Sequence, residues 1–293
     1  MAIRTGTTGA DTLTGTASAD TITGDDGNDS LIGLGGNDFM DGGKGDDSIY
    51  GVDGNDLIID GPGIDYLFGG AGIDTFQREW TGLNGTEFKM DLNFILGLQA
   101  AVGGTPEQAD KFTGIENYTC FGLIGGFFTG DDNDNVIRTD LGVDKLIGNG
   151  GNDRLFAGGA NDTVQGGKGA DELHGGAGRD VLTGGAGNDG FFFEVRNQGA
   201  DRITDFTSKA VGNDDAFHFA ASAFGGLALG QLAQGQFVSR ADHVAQDGND
   251  RFLYDTTTHT LWFDSNGSAA GGLTEIADLQ ASAVVTWQDI FLF

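Results

Sequence analysis

Residues 6–77 divide into nine-residue units without a gap, and residues 130–192 do so again. GDDGNDSLI, GLGGNDFMD and GGKGDDSIY (24–50) represent the first block, and GGKGADELH, GGAGRDVLT and GGAGNDGFF (166–192) the second. In the eight units of the first block the sixth position is Asp every time: Asp11, Asp20, Asp29, Asp38, Asp47, Asp56, Asp65 and Asp74. In the seven units of the second it is Asn135 once, then Asp144, Asp153, Asp162, Asp171, Asp180 and Asp189. The eighth position is always large and apolar, from Leu13 and Ile22 to Leu182 and Phe191. A fixed short period of this kind dictates a repeat architecture. Each Asp-x-apolar-x run is a very short strand with one side chain aimed at a core. Each glycine-rich half is a turn, because glycine tolerates positive φ and close backbone approach. Strand, turn, strand, turn makes a coil of 18 residues. Stacked coils give two parallel sheets with the apolar column between them, so the expected fold is all-β, a parallel β-roll in two stacked blocks.

Such a core is thin. Ordering a residue costs ~1–2 kcal/mol of backbone entropy, and one buried Leu returns only ~1.5–3 kcal/mol. The aspartates add repulsion, since they line up in rows along the edges of the roll. The whole chain carries 15 Lys and Arg against 44 Asp and Glu, a net charge of −29. A polyanion of this kind repels nucleic acid and anionic membranes and attracts cations. Calcium fits the donors on offer: it takes about 6–8 oxygen ligands, carboxylates and carbonyls alike. The pattern contains no Cys or His, which argues against zinc, copper or iron. Magnesium keeps its water and suits an all-protein cage poorly.

These units resemble the G-G-x-G-x-D-x-U-x nonapeptides of RTX proteins, the calcium-binding β-rolls of type I-secreted bacterial proteins. The resemblance covers 135 of the 293 residues. It implies one calcium between two turns on the same edge, 18 residues apart. The first turn gives its Asp and the carbonyls at its second and fourth positions. The later turn gives its Asp and the carbonyls at its first and third. Carried over, Leu34, Gly36 and Asp38 face Gly51, Asp53 and Asp56, while Gly43, Gly45 and Asp47 face Asp60, Pro62 and Asp65. In the second block Gly158, Ala160 and Asp162 face Gly175, Ala177 and Asp180, and Gly167, Gly169 and Asp171 face Gly184, Ala186 and Asp189. Gly27, Gly54, Asn149 and Gly151 stand at second or fourth positions, and Gly42, Gly69 and Gly166 at first positions, so they join the same candidate set. All the sixth-position aspartates from Asp11 to Asp189 are candidate ligands, and roughly 8–11 calcium ions are expected. Ala160 stands where glycine is usual, the first two units lack the double glycine, and Asn135 offers an amide in place of a carboxylate.

Four segments are expected: 1–77 and 130–192 as roll blocks, 78–129 as an insert, and 193–293 as a C-terminal module. The two blocks are out of phase, so the insert does not simply continue the coil. It reads as a few strands that cover or extend the roll, with Cys120 a buried, inert thiol. After Phe192 the glycine period stops. DRITDF at 201–206 is strand-like, 251–267 reads as a hairpin, and 216–234 as a site for a short helix. The terminal Asp289-Ile290-Phe291-Leu292-Phe293 resembles the uncleaved C-terminal signal of type I secretion. No apolar run approaches ~20 residues, so no transmembrane helix is expected. The first residues form no apolar signal region, so export without an N-terminal signal peptide is expected.

No G-x-S-x-G, H-E-x-x-H or P-loop pattern occurs, and nothing pairs a nucleophile with a base. The repeats begin at residue 6, so no catalytic domain is expected before them. The reading is a non-enzymatic, secreted protein that folds on extracellular calcium and meets a surface, matrix or polysaccharide partner after passage through a type I secretion apparatus. Two alternatives stay open. One is an accessory module of a polysaccharide-modifying or proteolytic enzyme, and the other is a membrane-active, toxin-like protein.

Overall fold

The computed structural model describes residues 1–59, 61, 63, 65–79, 90–93, 111–113, 117–121, 126–130, 132–196, 198–208, 214–242, 244–245, 247–267 and 271–293. The chain is all-β and forms two compact units, Met1–Leu141 and Gly142–Phe293. Both are built as parallel β-rolls.

In the first unit one sheet carries Thr12–Thr14, Ser30–Gly35, Ser48–Asp53 and Tyr66–Ala71 side by side. The facing sheet carries Ile3–Thr5, Thr21–Thr23, Phe39–Asp41, Leu57–Ile59 and Thr75–Glu79. Every neighbouring pair is parallel with an 18-residue register, such as Leu31 opposite Ile49 and Ile49 opposite Leu67. Parallel pairing at that offset places each eighth-position side chain over the one two units earlier. Ile22, Leu31, Met40, Ile49, Ile58, Leu67 and Phe76 are all fully buried. Leu13, in the first unit of the series, is only half-buried because no turn covers it from outside.

The insert extends this roll. Asn117–Phe121 lies between Thr75–Glu79 and Val136–Arg138, parallel to both, with Tyr118 opposite Phe76 and Ile137. Lys111–Thr113 extends the other sheet beside Tyr66–Ala71. The side chain of Cys120 lies outside the described residues, as do residues 114–116 and 122–125, and the reading of Cys120 as a buried thiol stays an expectation.

In the second unit Lys145–Gly150, Thr163–Lys168 and Val181–Ala186 repeat the arrangement on one sheet, and Arg154–Phe156, Glu172–His174 and Gly190–Phe193 on the other. The C-terminal segment adds rungs to the same sheets. Asp201–Ile203 pairs with Val181–Ala186 and then with Leu273–Leu279. Ala216–Phe219 pairs with Gly190–Phe193 and then with the terminal strand Ile290–Leu292. Ile203, Phe217 and Ile290 carry the apolar column onward at full burial. The hairpin expected at 251–267 is present, as Phe252–Asp255 antiparallel to Thr260–Asp264. The short helix expected at 216–234 is not. That stretch opens as the strand Ala216–Phe219, runs through turns to the short strand Gly230–Gln231 and reaches only a 3-10 turn at Gln234–Gln236, because Phe217 and Phe219 alternate into the core and Gly225 and Gly226 adopt positive φ. Strand alternation and aromatic burial outweigh the alanine content. Phe193, Phe206, Phe217, Phe219, Phe224, Phe252 and Phe263 fill this end of the unit with ring contacts of 4.6–6.4 Å between centroids.

Candidate metal centre

The turns along each edge follow one geometry. Second and fourth positions mostly take a left-handed φ, Gly43 and Gly45 at 92° and 131° and Gly167 and Gly169 at 121° and 122°, while Asn133 and Asp140 at the start of the second block do not. Leu34, Val52 and Asn149 hold the same conformation at second positions without being glycine, as Ala160 does at a fourth position with φ 90°. That conformation turns the carbonyls toward the next turn on the edge. The Gly43 carbonyl abuts Gly61, and those of Gly36 and Gly151 abut Gly54 and Gly169. The third-position carbonyl looks back: Lys44 accepts the amide of Gly27 at 2.7 Å, and Ala177 and Ala186 accept those of Ala160 and Gly169 at 2.7 and 2.8 Å.

First-position glycines answer a different need. A Cβ on Gly33 would overlap Oδ2 of Asp38 in its own turn and meet the carbonyl of Gly51 in the next. Gly51 is held the same way between Asp56 Oδ2 and the Gly69 carbonyl, and Gly166 between Asp171 Oδ2 and the Gly184 carbonyl. At Gly24, Gly175 and Gly184 a Cβ would likewise strike Oδ2 of Asp29, Asp180 and Asp189. The glycine leaves room for a carboxylate oxygen to lie against the backbone.

The aspartates form hydrogen-bonded columns. The amide of Asp20 donates to Oδ1 of Asp38 at 2.7 Å, and that of Asp29 to Asp47 at 2.8 Å. Asp47 donates to Asp65 at 2.7 Å and Asp56 to Asp74 at 2.9 Å. In the second unit Asp144, Asp162 and Asp180 are linked in the same way, as are Asp153, Asp171 and Asp189, at 2.8–3.0 Å. All these side chains are buried. One oxygen of each acceptor is thereby used, and Asp29 and Asp56 likewise accept the amides of Asp11 and Asp38, both at 2.8 Å. The other, Oδ2 of Asp29, Asp38, Asp47, Asp56, Asp162, Asp180 and Asp189, is buried with no hydrogen-bond partner. A buried, uncompensated carboxylate oxygen costs several kcal/mol in the charged form, about 1–3 kcal/mol at the least. Burial pushes Asp47 up to about 6 and Asp162 and Asp189 up to about 7, and it raises Asp38, Asp56 and Asp180 as well.

Each gap that follows Asp29, Asp38, Asp47, Asp56, Asp162 and Asp180 thus gathers two aspartates and a set of backbone carbonyls, an all-oxygen donor set with an orphaned carboxylate atom in it. Hard cations with high coordination numbers suit that chemistry. The residues therefore fit calcium. The candidate residues at first, second, third, fourth and sixth positions are brought together edge by edge; Asp60 and Pro62 lie outside the described residues.

The first two turns differ. Thr7 and Thr16 occupy the second position and are not left-handed. Asp11 Oδ2 accepts the amide and hydroxyl of Thr7 at 2.6 and 2.8 Å, and Asp20 Oδ2 accepts those of Thr16 at the same distances. Asp20 also accepts the amide of Ala2, which with the Thr16 groups holds its carboxyl below the usual range against the effect of burial. In these turns threonine supplies what the interior gaps lack. Asp11 and Asp20 are candidate ligands by position, and the threonine four residues before each already occupies the oxygen that interior turns leave open.

The columns also run past the periodic blocks, which sequence reasoning missed. Oδ1 of Asp201 accepts the amide of Asp180 at 3.0 Å, and Oδ1 of Asp215 that of Asp189 at 3.2 Å. Burial raises Asp201 to about 8 and Asp215 to about 6. Asp205 receives the amides of Gly184 and Gly185 at 3.0 and 2.8 Å. On the outer face of the sheet the ninth-position His174 is buried, not open to solvent. It is stacked between Phe156 and Phe192 at 4.1 and 4.5 Å and bonded to Glu194 at 2.5 Å.

Residues 5–40, 41–76, 129–164 and 156–191 match the RTX calcium-binding nonapeptide repeat, in four copies. No curated protein matches the chain. Among solved structures the chain is similar to the extracellular lipase LipA from Serratia marcescens, at 19% identity and a TM-score of 0.24. The alignment covers 90% of this chain, which spans 40% of the length of the lipase chain. Over residues 5–76 and 129–191 the chain consists of RTX calcium-binding nonapeptide repeats, folded as parallel β-roll.

Proposed function

We propose that the protein is an extracellular, non-enzymatic calcium-responsive β-roll whose folding is set by the metal. The observation that supports this most is the buried row of carboxylate oxygens without partners, running between turns whose carbonyls face the same gaps. Without a divalent cation, the charged row opposes the thin apolar column. With one, each gap becomes a bond between turns, and binding free energy becomes folding free energy. Extracellular modules bind calcium at about 10⁻⁴–10⁻³ M, above cytosolic levels, so the chain stays unfolded inside a cell and folds outside. The closed threonine turns reduce the expected number of ions below the full set of pairings in the first block.

Export through a type I apparatus belongs to the same reading and is supported by the repeats. The terminal strand Ile290–Leu292, whose sequence suggests the export signal, is a buried rung in the folded product, so signal and core strand are compatible roles. A matrix, surface or polysaccharide partner would then meet the outer faces of the sheets.

The test is far-UV circular dichroism of chelated protein during a calcium titration, with magnesium as the control. The expected result is a cooperative gain of β signal near ~0.1–1 mM calcium and none with magnesium. Full β structure under strong chelation at neutral pH would overturn the reading.

A further inference from the structure

We propose that residues 196–204 are an additional nonapeptide turn beyond the matched repeats, and that it completes a calcium site with the turn that ends at Asp180. The sequence there is RNQGADRIT. It retains only the fourth-position glycine, the sixth-position aspartate and the eighth-position apolar residue, and it is displaced because residues 193–195 lengthen the preceding segment. Its spacing from Asp180 is 21 residues where the interior turns use 18. That slip removes it from any search for a fixed period.

The structure restores the pattern. Gly199 has the left-handed φ of a fourth position, 123°. Asp201 is 2% exposed and accepts the Asp180 amide, as Asp180 accepts that of Asp162. Ile203 is fully buried opposite Leu182 in parallel register. The amide of Gly178 donates to the Gln198 carbonyl, the same backward bond that joins Gly169 to Ala186. The Gly178 carbonyl abuts Gly199, as the Gly151 carbonyl abuts Gly169.

The second observation is the orphaned oxygen. Asp180 is fully buried, and its Oδ2 has no hydrogen-bond partner. In interior turns this oxygen lies beside the first carbonyl of the following turn, as Asp38 Oδ2 lies with the Gly51 carbonyl around Gly33. For Asp180 the following turn is 196–201. By position the donors are Asp180, Asp201 and the carbonyls of Gly176, Gly178 and Gln198; the atoms nearest Gly175 belong to Asp180 alone, so this gap is more open at its first position than the interior ones. The Arg196 guanidinium does not compete, since it sits over the Phe263 ring 5.8 Å from its centroid. On the opposite edge Asp189 Oδ2 is likewise without a partner, but the next aspartate, Asp215, stands 26 residues on, and its own Oδ2 accepts the Thr207 amide at 2.7 Å.

The proposal rests on the calcium reading above, and the test separates the two. Calcium stoichiometry is measured by titration calorimetry on the full chain, wild type against Asp201→Asn and the interior variant Asp47→Asn. Asparagine keeps the acceptor for the Asp180 amide and removes the charge. The expected result is one ion fewer in Asp201→Asn than in wild type. An unchanged count in Asp201→Asn beside a lowered count in Asp47→Asn overturns the proposal alone. A wild-type protein that binds no calcium overturns the calcium reading and the proposal with it. Should Asp201→Asn not fold, anomalous diffraction from wild-type crystals grown with terbium decides. A peak between Asp180 and Asp201 supports the site; peaks between Asp162 and Asp180 with none at the next gap overturn it.

Discussion

The amide of Asp38 donates to Oδ1 of Asp56, 18 residues along the chain, at 2.8 Å, while Oδ2 of Asp56 lies against Gly51 with no hydrogen-bond donor of its own. One carboxylate therefore does two things. It fixes the register of neighbouring turns through one oxygen and offers the other to the gap between turns.

Asp56→Asn should retain the register bond and lose half the gap's charge. The calcium midpoint for folding should rise about two- to tenfold in a circular dichroism titration, since fewer carboxylates mean weaker sites. Asp11→Asn should leave the midpoint unchanged, because Thr7 already satisfies that carboxylate. Equal shifts in the two variants would contradict the distinction between open and closed turns.

Thr16→Ala removes the hydroxyl that donates to Asp20 and should cost about 0.5–1.5 kcal/mol. The loss should be as large in chelator as in calcium, if the chelated state is examined at a pH where it folds. A loss seen only in calcium would mean that this turn takes metal after all.

Gly51→Ala places a Cβ against Asp56 Oδ2 and the Gly69 carbonyl, so the turn must open. The expected cost in calcium is about 1–3 kcal/mol by chemical denaturation. Gly9→Ala, where nothing lies within 4 Å, should be near neutral. Ala160→Gly should stabilise by about 1 kcal/mol, because it removes the penalty of a left-handed alanine.

In chelator the pH dependence should be inverted from that of ordinary carboxylates. Burial raises Asp47 and Asp215 to about 6, Asp162 and Asp189 to about 7, and Asp201 to about 8 in the folded chain. The unfolded value is about 3.9. A raised folded value means that the fold binds protons more tightly than the unfolded chain. The contribution is thus complete below about pH 4 and lost as pH rises through about 6 to 8. Chelated protein should therefore gain β signal and a measurable Tm at pH 5 and show neither at pH 8. With calcium present, protons compete for the same oxygens, and the affinity should fall as the solution is acidified.

Much of this was legible in the residues because one period fixed both strand and turn. An apolar residue at every eighth position leaves a parallel roll as the arrangement that buries them all, and Ile22 through Phe191 follow it. The site followed from the same period, since register at 18 residues stacks one aspartate on the next. Less was legible where a local contact overrides the pattern. Thr7 and Thr16 close their turns by a bond four residues long that a repeat template does not score. Asp201 and Asp215 lie beyond the glycine period, and only three-dimensional pairing aligns them with Asp180 and Asp189. The 216–234 segment misled because alanine and leucine favour helices while Phe217 and Phe219 are claimed by the sheet.

The ends of the columns carry a consequence for how the chain finds its place. A periodic roll is nearly degenerate under translation: a slip by one coil would restore almost every interior bond, with Leu31 opposite Leu67 in place of Ile49. Within the described turns of either block, the register bonds at 18 residues are alike from one turn to the next. The terminal turns mark an origin, because Ala2 and Thr16 on Asp20, and Asp205 on the amides of Gly184 and Gly185, make contacts that no interior turn can imitate. They act as the zero of the ruler, and shifted alignments are rejected there and not along the repeats.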